Sequence, residues 1–114
     1  MQVEFYTKTD GTKPAGEFMK SLEPKMKKKM SELIFALERF GTKLRAPYSK
    51  HIQDGIFELR AQVGTDISRA LYFFYVGDKA IITNGFVKKT PKTPPNEIEK
   101  ARFYRADYLN REDE

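Results

Sequence analysis

The chain has 114 residues, 39% of them hydrophobic and with nine Phe and six Tyr, which suits one folded domain with a modest core and excludes a disordered chain. It has no cysteine, which excludes disulfides, thiol chemistry and cysteine-ligated zinc, and no run nears the roughly 18 apolar residues of a membrane span. A formal net charge of +5, from 21 Lys and Arg against 16 Asp and Glu, points to a polyanionic partner without specifying a fold.

The opening stretch MQVEFYTKTDG reads as a strand over residues 3–7 followed by a turn. It has no charged region leading into an apolar stretch, so no secretory signal is expected, and a reduced, cytoplasmic location follows. In PAGEFMKSL, Pro14 stands in a first turn, and Phe18, Met19 and Leu22 recur at helical spacing. Pro24 opens a longer helix. Met26, Met30, Leu33, Ile34, Leu37 and Phe40 form its apolar stripe, a core feature rather than a cofactor site, and Gly41 stops it. RAPYSKHIQDG (45–55) reads as a polar loop.

Three strands follow. Residues 56–63 alternate, with Phe57, Leu59 and Ala61 on one face and Glu58, Arg60 and Gln62 on the other. Residues 69–76 are apolar on both faces, as a central strand requires. VGDK carries a hairpin signal into a strand over 80–87. Thr93 and Pro94 then read as N-cap and first position of a last helix, with Ile98, Ala101, Tyr104 and Tyr108 or Leu109 turned inward. The order predicts an α+β domain: a small, mainly antiparallel four-stranded sheet, two N-terminal helices and a C-terminal helix, with the helices on one side of the sheet.

The charges are unevenly spread. Residues 25–50 hold eight Lys or Arg against two Glu, and residues 85–105 hold six against two. The last nine residues carry four acids and one Arg, so an acidic tail follows two basic segments. Lys25 to Lys29 read as the solvated face of a helix. The run GFVKKTPKTPP is harder to dismiss, because a strand leaving a core needs no ammonium groups at its exit.

Three motifs, IFELR (56–60), SRALYFFY (68–75) and GFVKKTPKTPPNEIEKA (85–101), occur in this order, and together with the element order they resemble the RelE/HigB superfamily of toxins from toxin–antitoxin modules, in particular its phage-derived, HigB-like branch. The resemblance covers the whole chain. It implies a small endoribonuclease that enters the ribosomal A site and cleaves mRNA without a metal or other cofactor. In that reaction the ribose 2′-OH attacks the adjacent phosphate and leaves a 2′,3′-cyclic phosphate. It also implies a cognate helix-turn-helix antitoxin that neutralises the toxin and carries it to operator DNA.

Such chemistry needs a base near the 2′-OH, a donor near the 5′-oxygen and cations about the phosphate. Arg69 matches the phosphate-contacting Arg of the family, and a guanidinium in an apolar strand must lie at a sheet end or be paired. Arg60 is either a phosphate ligand or a structural partner of Glu58 or Glu97. Glu58 stands where other members carry a basic residue, and serves either as a base or in an ion pair.

Lys89 lies near the family's second catalytic basic residue. Lys50, Lys88 and Lys92 are candidate RNA-binding groups, with solvated loop lysines as the alternative. His51, the sole histidine, is either catalytic or incidental. Tyr72 has a packed ring whose hydroxyl is a candidate RNA contact, and Tyr104 and Tyr108 either stack on a base or pack in the core. No acidic cluster or His pair stands at metal-ligand spacing. A second class of function shares the fold: a phage-derived regulatory module that binds nucleic acid without cutting it.

Overall fold

The computed structural model describes residues 1–88 and 92–112. The elements are β1 (Gln2–Phe5), α1 (Pro14–Ser21), α2 (Pro24–Phe40), a 3₁₀ turn (Gly41–Lys43), β2 (Ser49–Gln53), β3 (Ile56–Val63), β4 (Asp66–Tyr75), β5 (Lys79–Val87) and α3 (Pro95–Glu112). They form one five-stranded mixed sheet in the order β1-β5-β4-β3-β2. β1 runs parallel to β5, and every other neighbouring pair is antiparallel. Among the described residues no helix is long and apolar enough to cross a membrane.

The expected four strands are therefore five. The additional one, β2, lies inside the stretch read as a polar loop. It is an edge strand, which needs little apolar alternation because much of it faces water. Its pairing with β3 is set by the two-residue turn Asp54–Gly55, with φ of 52° and 77°. Both central residues are thus left-handed, the conformation that matches the twist of a hairpin, and Asp-Gly is a preferred pair for it.

The expectation that all helices share one side is also corrected. α1 and α2 cover one face, where Met26, Met30, Leu33 and Leu37 pack on Leu59, Ala61, Ala70, Tyr72, Ala80 and Ile82. α3 covers the other, where Tyr108 meets Phe73 and Ile81, and Ala101 meets Ile56, Leu71 and Phe86. A central strand that is apolar on both faces requires a cover on both, and α3 supplies the second. Phe40, placed in the α2 stripe, is 51% exposed instead. At Gly41 the chain turns with φ 54°, ending α2 where the sequence predicts.

Gly85 has a different use. A Cβ there would lie 2.2 Å from the Phe18 ring, so glycine lets α1 press directly on β5. Close by in the same ladder the register shifts, Leu71 facing Asn84 and Tyr72 facing Ile82, so Thr83 of β5 is the extra residue.

Candidate functional site

Strand alternation decides which side chains meet. In the β2–β3–β4 register Lys50 faces Glu58, Glu58 faces Leu71, and Arg60 faces Arg69, so these residues project from the α3 side of the sheet. Lys88 follows β5 directly, and its main-chain N–H bonds the Ile67 carbonyl at the start of β4. Near the N-terminal end of α3 this face of the sheet turns from apolar to polar.

Their centre is Glu58. It is 1% exposed, yet it carries a carboxylate, which must be compensated when taken from water. Its Oε1 lies 3.3 Å from Arg60 Nε and 3.4 Å from Arg69 Nε. Neither Nε makes a well-directed hydrogen bond, so these contacts are chiefly Coulombic. Oε2 accepts a hydrogen bond from the Thr93 hydroxyl at 2.7 Å. Arg69, 6% exposed, also donates from Nη1 to the Ser68 carbonyl at 3.1 Å. Burial lowers its affinity for the proton, and Glu58 opposes that shift.

A hollow of about 220 Å³ opens over this group, lined by Lys50, Arg60, Lys88 and Lys92 with Glu58, Thr93 and Ile98 among the remaining walls. Four cations thus line the hollow at one carboxylate, which Arg69 contacts as a fifth. The excess positive charge acts on Lys88: burial first, then Arg69, Arg60 and Lys50, lower its ammonium below the usual lysine value, while Glu58 opposes them. A lysine so placed holds a larger neutral fraction near neutral pH than a solvated one, which is the property a proton acceptor needs.

The remaining candidates sort themselves by face. Tyr72, read as a candidate RNA contact, lies on the opposite side of the sheet, 1% exposed, with its hydroxyl bonded to Ser49. His51 lines the hollow, but its Nε2 accepts the Gly55 N–H at 3.2 Å, which commits that nitrogen to the β2–β3 turn. Tyr104 stacks on Tyr6 at 4.8 Å, and Tyr108 packs edge-on against Phe73 and Tyr75, so both serve the junction of α3 with the sheet. Lys89 lies outside the described residues.

Glu97 pairs with Lys100 and not with Arg60. The acidic C-terminal residues are not all a tail: Asp107 sits in α3, paired with Arg111 at 2.8 Å and accepting the Tyr6 hydroxyl at 2.6 Å.

Two residues with a part in the site escaped the sequence reading. Thr93 was read as an N-cap, but its hydroxyl serves Glu58 instead. Asn84, buried in β5, donates through Nδ2 to the Glu97 carbonyl at 3.2 Å and to Glu97 Oε1 at 3.1 Å, fixing the first turn of α3 over the sheet. An Asn inside the apolar run AIITNGF was the available signal, since a buried amide needs partners.

Fold and site define a small basic α+β protein with a cation-lined hollow at one end of its sheet. The chain belongs to the family described as Phage derived protein Gp49-like (DUF891), whose family model matches residues 17–104. That family is grouped with the RelE/HigB-like toxins. No curated protein matches the chain. Among the described residues, no three His, Cys, Asp or Glu side chains are grouped so as to hold a metal ion.

Proposed function

We propose that this protein is the toxin of a toxin–antitoxin module, an endoribonuclease that cuts mRNA in the ribosomal A site and is neutralised by a cognate helix-turn-helix antitoxin. One observation carries the reading: Lys50, Arg60, Arg69 and Lys88, from four separate segments, gather around a single buried carboxylate. Membership of the Gp49-like family supports it.

In the proposed reaction O2′ attacks the adjacent phosphorus and the P–O5′ bond breaks, leaving a 2′,3′-cyclic phosphate and a 5′-hydroxyl. The O2′ proton passes to the neutral amine of Lys88. A proton returns to O5′ from solvent or a second cationic side chain. Arg60 and Arg69 hold the charge that grows on the phosphate oxygens. Glu58, with both oxygens engaged and almost no exposure, is assigned to spacing the two guanidinium groups rather than to taking the proton.

The contacts at Glu58 also favour a second reading. A carboxylate that already partly neutralises Arg60 and Arg69 suits a module that grips phosphates without cutting them. Both readings share salt-sensitive RNA binding, with a log–log slope of about −0.7 per phosphate contacted on single strands. Turnover separates them. Induced expression is expected to arrest growth and yield mRNA cut within codons, and Arg69→Ala to relieve the arrest. Harmless expression at high protein level with intact message would give the protein to the second reading.

A further inference from the structure

The proposed cleavage uses the Lys88 amine as a base, but a neutral amine is also a nucleophile. Its side chain is half-buried, whereas Lys50 and Lys92, which share the hollow with it, are exposed. Positive charge reaches it from three strands, Lys50 on β2, Arg60 on β3 and Arg69 on β4, and with burial this holds its proton affinity down. The carboxylate that opposes them, Glu58, is engaged by Arg60, Arg69 and the Thr93 hydroxyl.

The walls of the hollow select the electrophile. Lys50 and Arg60 beside the amine attract a dianion, and a guanidinium offers it directed N–H donors. The volume of about 220 Å³ lies below the roughly 300–1,000 Å³ that drug-sized ligands fill. That favours a short acyl phosphate over a nucleotide-borne acyl donor. Such a molecule carries a phosphate for the cations and, two bonds from the phosphorus, a carbonyl carbon open to an amine.

We infer that Lys88 is an acylation site, at which a short acyl phosphate held by Lys50 and Arg60 transfers its acyl group to the amine. Nζ attacks the carbonyl carbon, an N–C bond forms and the C–O bond to the phosphate breaks. The bonding pair leaves with inorganic phosphate, and the proton lost from Nζ passes to water. The amide product has neither the charge nor the basic lone pair of the amine, so the acylated protein is silenced. That consequence rests on the proposed cleavage, while the modification itself rests on the hollow alone.

The purified protein is incubated with acetyl phosphate, digested and read by tandem mass spectrometry, which resolves Lys88 from the adjacent Lys89. Lys88 is expected to be acetylated at least about tenfold faster than the exposed Lys27 and Lys43, as holding the reactants together allows. Excess inorganic phosphate should protect Lys88 and leave Lys27 and Lys43 unaffected. N-acetoxysuccinimide, which carries no phosphate, should show a smaller preference for Lys88. Lys50→Gln, at an exposed position, should narrow the acetyl phosphate preference towards that smaller value.

Equal rates at Lys88, Lys27 and Lys43, acetylation of Lys89 in place of Lys88, or the same preference with both reagents would overturn the inference. Amide shifts at Lys50, Arg60 and Lys88 on titration with inorganic phosphate test the phosphate site separately. Shifts there without selective acetylation would overturn the acylation site and leave the cleavage reading standing. Selective acetylation of a protein that still cuts message on ribosomes would uphold the acylation site and overturn Lys88 as the proton acceptor.

Discussion

The two faces of the sheet are built from the same strands and do different work. On the side of α1 and α2, Leu59, Ala61, Ala70 and Tyr72 meet Met30 and Leu37, both of which have no exposed surface. On the side of α3, an apolar patch under Ala101 and Tyr108 gives way to Glu58, Arg60 and Arg69 where the helix begins. Burying ions is a poor way to stabilise a fold, since desolvation offsets most or all of the Coulombic gain. The contrast separates a face whose apolar packing holds the protein together from one end of the second face, where charge is gathered at a cost to stability, as the proposed phosphate site requires.

The comparison can be broken by substitutions that cross it. Lys88→Met should have the largest effect, about a 10²- to 10⁴-fold fall in cleavage, the range of a general base. In the parent protein the cleavage rate should climb with pH to a midpoint below the ordinary lysine value of 10.5, and the variant should lose that limb. The sign for stability is opposite. A lysine whose folded pKa is depressed costs stability wherever it is charged, so Lys88→Met should raise Tm at neutral pH. That gain should fade as pH rises through the usual lysine value. A variant both inactive and less stable would contradict the division of labour between the faces.

Leu37→Ala should show the mirror image. Emptying a fully buried site should cost about 3 kcal/mol in denaturant unfolding, with the activity of the folded fraction unchanged. Smallest, and most discriminating, is Thr93→Val. It removes the hydroxyl that holds the start of α3 to Glu58, and kcat should fall about tenfold for one hydrogen bond to a charged group. Thr93→Ser should restore it. If serine failed to do so, shape at that position rather than the hydrogen bond would be responsible.

Much of the fold was legible along the chain. The α2 stripe, with Met26, Met30, Leu33 and Leu37, lies where three- and four-residue spacing places it. The alternation of β3 sorts Leu59 and Ala61 from Glu58 and Arg60 as the period of two requires. β2 was missed because an edge strand of Ser, Lys, His, Ile and Gln shows no clear period, although the Asp54–Gly55 turn beside it was a usable signal. Tyr72 was placed among the RNA contacts although it alternates with Arg69, Leu71 and Phe73 along β4; three residues from Arg69, it had to face the other way.

The chain order alone determined the elements other than β2, the basic bias of the segments around Lys50 and Lys88, and the pattern that makes β4 a central strand. These are local properties, written in periodicity, turn residues and charge. Which cations meet was decided only by the tertiary structure. Strand register sets Lys50, Glu58, Arg60 and Arg69 on one face, and the hydrogen bond from Lys88 N–H to the Ile67 carbonyl brings that lysine to the same end of the sheet. The Glu58 contacts and the lowered proton affinity of Lys88 follow from distance and desolvation between residues far apart in sequence, which no local pattern encodes.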